Sequence, residues 1–452
     1  MNIFLIVISI LLSIICALVA LLQHYYFFHE LYRRPSLKYD VSVFEDLIPS
    51  GKDDKYRGHN FPLQSKNDDT NTDSVLSHMN YALESQSKYS ITERYSSQHA
   101  ETSQHEVDNA LQAAIAFQVT GKTFKALKLF LYAATLAPQN ADVLNTYGEF
   151  LEQLDDIVTA DELYFKALTH SPNHKAALTN RARTAPLVEG LDYQLFKDID
   201  ERNNYLINQM KVDTFVSMKT QAFYLHIYHT VGIEGNTMTV EQLKYLLETG
   251  QVVEGKSLME HNEILGLEKA MLYIKLLIRI EFIGLEHILG IHRRVMGHVD
   301  PLGSGMFRKE KVYVGSHVPP PHGDVPALME IFVQWLNSEE ALSMHPVRYA
   351  ALAHYKLVDI HPFTDGNGRT SRLLMNLLFL RRNYPPVIVL KEQRQKYYDA
   401  LKTANMGDVR PFVRFVARCT LKNLDMYIYT AKYLSSQRGI DSDDTKKIIV
   451  SN

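Results

Sequence analysis

The sequence predicts a mainly α-helical protein, in which helical hairpins precede an all-α domain that carries one β-hairpin. Three observations support this prediction. Small and large apolar residues recur with a period of 34 residues between positions 107 and 174, as packed helical hairpins require. Helical patterns flank a glycine-rich turn at residues 365–368. Only residues 311–320 alternate in the manner of strands.

The bulk properties indicate an ordinary globular protein with more than one domain. The chain has 452 residues, which is too long for one compact core. Its hydrophobic share is 46%, its charged share is 22% and its net charge is −3, so nucleic acid is not expected as a partner. The two cysteines, Cys16 and Cys419, do not decide the redox compartment.

Residues 1–23 are predicted to form a transmembrane signal anchor, followed by a polar stalk at 24–105. Residues 3–22 are apolar except for two serines, which is long enough for a membrane-spanning helix. No basic residue precedes this run and aromatic residues follow it, which favours an anchor over a cleaved signal peptide. Three basic residues between 33 and 38 favour a cytosolic body under the positive-inside rule.

Two helical hairpins are predicted at residues 106–174. Pro138 and Pro172 are 34 positions apart, and each ends the second helix of its hairpin. When the segments are aligned, Ala114 corresponds to Gly148, where close packing of two helices admits only a small residue. The segments resemble tetratricopeptide repeats, which implies a surface for partners or for restraining the rest of the chain.

The remaining chain divides into three predicted parts. Connecting helices occupy residues 175–215, and the first of them is expected to end before Pro186. The main domain covers 216–430, with its core at 283–418, and a C-terminal tail covers 431–452.

The chemistry is concentrated in the segment His361-Pro-Phe-Thr-Asp-Gly-Asn-Gly-Arg-Thr-Ser-Arg372. Gly366 and Gly368 let backbone N–H groups approach a ligand closely at a helix N-terminus, where the dipole favours anions. Arg369 and Arg372 add forked donors. The segment is therefore predicted to be a cradle for phosphates.

Two side chains of this segment suit proton transfer and metal binding. His361 precedes the cradle and is placed to take a proton from an attacking hydroxyl. Asp365 suits a magnesium ion, which prefers one or two carboxylates together with phosphate oxygens. Together these parts indicate nucleotide-dependent group transfer.

The segment resembles the Fic family signature, H-x-F-x-[DE]-G-N-G-R-x-x-R, at every defined position. The resemblance implies an enzyme that transfers AMP from ATP to Ser, Thr or Tyr hydroxyls of target proteins, with Mg²⁺ or Mn²⁺. It implies that His361 is the catalytic base, that Asp365 is the metal ligand and that Arg372 binds the γ-phosphate. The ATP-binding residues that it implies in the motif are Asp365, Gly366, Asn367, Gly368, Arg369, Thr370, Ser371 and Arg372.

Two other segments carry the same resemblance. Residues 311–320 match the β-hairpin flap that lines up the target segment in this family, and the ATP-binding residues implied there are Val314, Gly315, Ser316 and His317. Tyr397 and Asn405 fall on a downstream helical pattern, where similar members place a Tyr and an Asn near the adenosine. For Tyr397, packing in the core is an equally weighted alternative.

The segment Thr230-Val-Gly-Ile-Glu234-Gly235 matches the inhibitory pattern [ST]-x-x-x-E-[GN] of this family. A carboxylate that reaches Arg372 forms a charge-assisted pair with it. Because the ATP γ-phosphate needs that guanidinium, ATP would then bind in an unproductive pose. Glu234 is therefore predicted to be an inhibitory residue and part of the ATP site.

The order of anchor, stalk, repeats, inhibitory helix and Fic core resembles the metazoan HYPE-like protein adenylyltransferases. The resemblance implies a single-pass protein of the endoplasmic reticulum membrane with its body in the lumen. It also implies homodimers, a lumenal heat-shock chaperone as target, and removal of AMP by the same site. The basic residues at 33–38 oppose this topology, and a single-span anchor can override such a bias.

Three alternative functions stay open. One is a Fic enzyme that transfers another phosphate-containing group, and another is a tetratricopeptide scaffold with an inactive Fic fold. The intact His361 and Asp365 argue against the inactive fold. The last is metal-dependent hydrolysis using His345, His354 and His361, but their spacings of nine and seven are not the i, i+4 pairing of a zinc helix.

Overall fold

The computed structural model describes residues 97–209, 212–315 and 317–449, and in these ranges the backbone forms α-helices and short 3₁₀ turns without a β-strand. The predicted mainly-α class is therefore confirmed. The predicted anchor at 1–23 lies outside the described residues, as does most of the predicted stalk. Within the described ranges, none of the helices combines the length and the apolar character that crossing a membrane requires.

The chain begins with paired helices and ends with a long one. The first five helices are α1 (Ser97–Val119), α2 (Thr123–Leu136), α3 (Ala141–Gln153), α4 (Ile157–His170) and α5 (Lys175–Gln209). The next five are α6 (Val212–Ile233), α7 (Val240–Thr249), α8 (Leu258–Leu277), α9 (Leu285–Met296) and α10 (Val325–Leu336). The last five are α11 (Glu339–Ser343), α12 (Pro346–Ile360), α13 (Asn367–Arg381), α14 (Arg394–Asn405) and α15 (Arg410–Ile449).

Helices α1 and α2 pack together, as do α3 and α4, so helical pairs lie where the 34-residue period places them. Asn140 caps α3 by accepting hydrogen bonds from Asp142 N and Val143 N. A Cβ at Gly148 would lie 2.5 Å from Tyr164 Cε1, so this position requires glycine. That these pairs belong to the tetratricopeptide class stays a prediction.

Helix α5 does not end before Pro186, contrary to the prediction, and the proline lies inside it. A proline in a helix interior costs about 3 kcal/mol. The second half of α5 is nevertheless held by tertiary contacts, since Val188 and Ile199 are buried and Asp192 accepts a hydrogen bond of 2.7 Å from Arg414 of α15. Tertiary packing therefore overrides the local preference.

Helix α15 joins the helical pairs to the main domain. Arg410 donates to Asp161 of α4 at 2.8 Å, and Arg414 donates to Glu162 of the same helix at 2.9 Å. Between them, Phe412 is fully buried in the core of the main domain. The helix continues to Ile449, so most of the segment predicted to be a C-terminal tail is helical.

Helix α13 lies at the centre of the main domain, against α6, α8, α9 and α12. Residues 369–379 of this helix are all buried. The turn that leads into it uses left-handed backbone on both sides, with φ of 49° at His361, which ends α12, and 75° at Gly366, which precedes α13. The predicted helix–turn–helix is therefore confirmed, and its turn faces one end of the core.

The predicted β-hairpin at 311–320 does not form as paired strands. Val314 and His317 exchange two backbone hydrogen bonds of 3.0 Å around Gly315, and this single bridge is the only pairing in the described part of the segment. Prolines at 319, 320 and 321 remove the donors that a longer ladder needs. The segment, called the flap below, is therefore a loop with one bridge.

Candidate active site

The turn of the motif is rigid because its own side chains close it. Asn367 Oδ1 accepts from Phe363 N at 3.0 Å, and Asn367 Nδ2 donates to Phe363 O at 2.8 Å. The Phe363 ring is fully buried and stacks on His292 with 3.6 Å between ring centroids. Asn367, which the sequence suggested for phosphate binding, thus has its side chain committed to the backbone of the turn.

The predicted base His361 is partly buried at the end of α12. Its Nδ1 lies 3.3 Å from Val358 O, and because a carbonyl can only accept, Nδ1 carries the hydrogen there. The lone pair of the neutral ring is then on Nε2. Burial lowers the pKa of this imidazole, which keeps it neutral and able to accept a proton.

The N-terminus of α13 has little room above its first turn. A Cβ at Gly366 would lie 2.8 Å from Met296 Sδ, and a Cβ at Gly368 would lie 2.8 Å from Glu234 Oε1. Side chains at either position would therefore fill the space beside the first amides of the helix. Met296 and the Glu234 carboxylate occupy this space in the structure, where a helix N-terminus can bind an anion through its backbone.

Arg369 holds the mouth of the turn through two carboxylates. It is 3% exposed and donates to Asp365 Oδ2 at 3.1 Å and to Glu263 Oε1 at 3.4 Å. Burial raises the pKa of Glu263, although hydrogen bonding from Asn236 and the charge of Arg369 oppose this. The buried Arg369 thus links the largely buried Glu263 to the exposed Asp365.

Arg372 and Glu234 are in direct contact. Arg372 is 2% exposed and its Nη2 donates to Glu234 Oε1 at 2.6 Å and to Thr230 O at 3.1 Å. Although burial opposes the charged form, the neighbouring Glu234 raises the pKa of the guanidinium. Nε and Nη1 of Arg372 have no hydrogen-bond partner among the described residues. Both nitrogens are buried, so Nη2 carries the hydrogen bonds of the guanidinium in this structure.

Tyr397 forms part of the wall behind Arg372. Its ring centroid lies 5.8 Å from the Arg372 guanidinium, and its hydroxyl lies 3.0 Å from His354 Nε2. Both residues are buried, and burial lowers the pKa of His354 to about 3. The contacts of Tyr397 in the structure are therefore those of a core residue.

The other predicted ATP-binding residues lie in the flap, at the end of α14 and inside α13. Val314 and Gly315 form the turn of the flap, and Ser316 lies outside the described residues. His317 Nε2 is 3.3 Å from Asp359 Oδ1 on α12. Asn405 is the exposed last residue of α14. Thr370 and Ser371 are buried in α13, where Ser371 Oγ donates to Asn367 O at 2.8 Å.

Two residues of the site were not found by the sequence reasoning. His292 Nε2 donates to Asp365 O at 2.9 Å, while its Nδ1 accepts from Gly305 N at 2.8 Å. Burial lowers the pKa of His292 to about 4, so the ring stays neutral in this role. Arg308 donates to the backbone of His361 at 2.7 Å. Neither contact could be predicted, because His292 is a single histidine on a helix and Arg308 is one of several basic residues in its segment.

No group of three or more metal-ligating side chains occurs in the part of the chain that the structure describes. The histidines of the hydrolytic alternative have separate partners: His345 lies 3.0 Å from Asp200, and His354 contacts Tyr397. Asp365 is a different case, because its side chain is 67% exposed at the mouth of the turn. A single carboxylate fits a magnesium ion whose other ligands are phosphate oxygens and water.

Comparison with known proteins agrees with this geometry. Residues 282–379 match the model of the Fic/DOC family. Protein adenylyltransferase Fic of Culex quinquefasciatus is 52% identical over 342 residues, which cover 75% of this chain and 68% of that protein. The protein of the same name from Drosophila erecta is 53% identical over 341 residues, covering 75% and 69%. The solved structure of Fic-1 from C. elegans has a TM-score of 0.67 at 38% identity and covers 71% of this chain and 99% of that one.

The fold, the motif and these similarities define the class of the protein: the chain belongs to the Fic/DOC family. Within that family it is a nucleotidyltransferase of the AMP-transferring kind, similar to the insect proteins named protein adenylyltransferase Fic.

Proposed function

We propose that this chain transfers AMP from ATP to Ser, Thr or Tyr hydroxyls of target proteins, with His361 as general base. The observation that carries the proposal is the position of a neutral His361, with its lone pair on Nε2, beside the glycine-lined N-terminus of α13. The hydroxyl oxygen attacks the α-phosphorus, and its proton passes to His361. The bond to the β-phosphate breaks and pyrophosphate leaves.

The rest of the motif binds and orients the nucleotide in this proposal. Backbone amides at the start of α13 hold phosphate oxygens, and the Arg372 guanidinium takes the γ-phosphate once Glu234 releases it. A magnesium or manganese ion at Asp365 would offset the charge of the phosphates. The flap residues 314–317 line the nucleotide and the target segment, Asn405 lies on the adenosine side, and Tyr397 supports Arg372 from behind.

Glu234 is proposed to restrain this activity. Its bond to Arg372 occupies the guanidinium that the γ-phosphate requires, and it also reaches the space above Gly368. In the removal of AMP, a water oxygen attacks the phosphorus of the AMP ester. The bond to the protein hydroxyl oxygen breaks, and AMP leaves. Glu234 would orient this water, so the same carboxylate hinders addition and assists removal.

The cellular setting is proposed from the sequence. The apolar run at 3–22 anchors the chain in the endoplasmic reticulum membrane as a single span, with the body in the lumen. A lumenal heat-shock chaperone is the proposed target, and the protein acts as a homodimer with the helical pairs as a surface for partners. These points rest on the resemblance to metazoan relatives.

The position of the transferred label tests the reaction. The Glu234→Gly variant is incubated with purified lumenal chaperone and ATP labelled at either the α- or the γ-phosphate. Only the α-label is expected on the protein, and the His361→Ala variant of the same background is expected to transfer it at least about 100-fold more slowly. Transfer of the γ-label would replace the proposal by phosphate transfer, and an adduct without adenine would indicate another phosphate-containing group.

A further inference from the structure

Arg308 links the flap to the loop that carries His361. It is 3% exposed, and its guanidinium donates only to backbone carbonyls: His361 O at 2.7 Å, Glu310 O at 3.1 Å, Pro320 O at 2.5 Å and Ile360 O at 3.5 Å. Its own backbone N donates to Pro362 O at 2.9 Å. One side chain thus contacts both ends of the flap and the residues on either side of the α12 terminus.

The four carbonyls belong to two structural features, the base of the flap and the C-terminus of α12. Glu310 and Pro320 bracket residues 311–319, so bonds to both of them fix the width of the flap at its base. Ile360 and His361 end α12, so the same guanidinium fixes the flap against the predicted base. A planar fork with five donors reaches all four acceptors, which a lysine with its compact ammonium does not.

In the described part of the flap Pro319 is buried, and few polar contacts accompany those of Arg308. The flap has a single bridge, Val314 with His317, and its second contact with α12 is the His317–Asp359 pair. Tyr313 is 67% exposed, so the face of the loop is open to another chain. No ion pair of Arg308 occurs among the described residues, and burial lowers its pKa. A buried charge without a carboxylate is costly, so the contact is poorly explained as a source of stability alone.

We propose that Arg308 is a positioning residue that sets the distance between the flap and His361, and so aligns the hydroxyl of a protein target with the base. The inference rests on the proposed transfer of AMP. A displacement of about 1 Å between reacting groups can cost roughly 100-fold in rate. Arg308 is therefore expected to act on the transfer step to proteins and hardly at all on the binding of ATP.

The test compares Arg308→Met, Arg308→Lys and Lys309→Met, each in the full chain carrying Glu234→Gly. The Met variant keeps an unbranched apolar stem and removes the guanidinium donors, and Lys309→Met removes an exposed charge one residue away. The lumenal chaperone is the acceptor, and kcat, the KM for ATP, the melting temperature and hydrogen exchange at residues 311–318 are measured. Arg308→Met is expected to lower kcat by about 10- to 100-fold, with the KM for ATP changed less than about threefold.

The control variants distinguish a loss of flap positioning from a general loss of structure. Arg308→Lys is expected to lie between Met and the parent, exchange is expected to rise in the flap but not in α13, and Lys309→Met is expected to match the parent. An unchanged kcat in Arg308→Met overturns the inference, and so does an equal loss of ATP binding and transfer with a general rise in exchange. If the Glu234→Gly parent itself transfers no AMP, the proposed function has failed instead.

Discussion

Glu234 and Arg372 are 138 positions apart in the sequence, and their carboxylate and guanidinium lie 2.6 Å apart in the structure. The guanidinium is buried, whereas the Glu234 side chain is 26% exposed. The pair therefore joins the end of α6 to the first turns of α13. In the proposed function, displacing Glu234 frees Arg372 Nη2 for a phosphate.

Glu234→Gly is expected to raise the rate of AMP addition at least about tenfold, because a charge-assisted hydrogen bond contributes roughly 1.5–3 kcal/mol. Removal of AMP is expected to slow in the same variant. Initial rates of both reactions on one purified target measure this, with Glu234→Gly/Arg372→Ala as the control that should cancel the gain. Unchanged addition in Glu234→Gly would show that Glu234 is an ordinary helix-end carboxylate.

His361→Ala is expected to lower both addition and removal by roughly 10²–10⁴-fold, since the proton of the attacking hydroxyl loses its acceptor. The backbone of this turn is held by Arg308 and Leu357, which contact main-chain atoms of residue 361. Circular dichroism and the melting temperature should therefore stay close to the parent. Activity retained in a folded His361→Ala protein would rule out this residue as the base.

Tyr397→Phe distinguishes the two roles that the sequence left open for this position. The hydroxyl is buried against His354 Nε2, so its loss is expected to lower the free energy of unfolding by about 1–2 kcal/mol. The KM for ATP should change less than about twofold, because the structure gives this hydroxyl a core partner. Chemical unfolding and steady-state kinetics provide both values. A large rise in KM at unchanged stability would instead place the hydroxyl on the nucleotide.

Gly148→Ala tests the packing of the helical pairs. A Cβ there would lie 2.5 Å from the Tyr164 ring, and overpacking of this kind costs about 1–3 kcal/mol. A lower melting temperature is expected. Gly190→Ala is the matched control, because a Cβ at that helical glycine meets nothing within 4 Å. Equal effects of the two substitutions would contradict the packing argument.

Stability is expected to fall as the pH is lowered from 6.5 towards 4. Burial lowers the pKa of His226, His229 and His354 to about 3 and that of His292 to about 4, against an ordinary value of 6.5. Between these values the unfolded chain binds more protons than the folded one, so each such histidine removes about 1.4 kcal/mol per pH unit.

Urea unfolding at pH 7.5, 6 and 5 measures this slope. His354→Gln is expected to reduce it, whereas a substitution at the exposed His170 is expected to leave it unchanged. Equal unfolding free energies at pH 7.5 and pH 5 would show that the buried histidines are already neutral in the unfolded reference or charged in the fold.

The motif could be predicted from sequence because its parts are local: the glycines, the arginines and the start of the helix lie within twelve residues. The helical pairs were also predictable, because small and large residues recur in them with a period of 34 residues. Contacts between distant residues were not predictable. His292 meets Asp365 across 73 positions and Arg308 meets His361 across 53, and neither side chain belongs to a pattern.

Two local rules also failed for physical reasons. Pro186 was expected to end a helix, but the ion pairs of α15 with α4 and α5 hold the helix beyond it. The alternation at 311–320 was expected to form a β-hairpin, but the prolines at 319–321 lack the backbone N–H donors that a longer ladder needs.

Helix α15 gives the molecule a mechanical property. Within five residues, Arg410 and Arg414 grip the helical pairs, and Phe412 packs on His354 and Tyr397, with ring centroids 5.0 and 6.2 Å away. Tyr397 in turn lies against Arg372. The same short segment of α15 therefore contacts the helical pairs on one side and the wall behind Arg372 on the other. The helical pairs and the wall behind Arg372 are thus linked through side chains of one continuous helix, without an intervening loop.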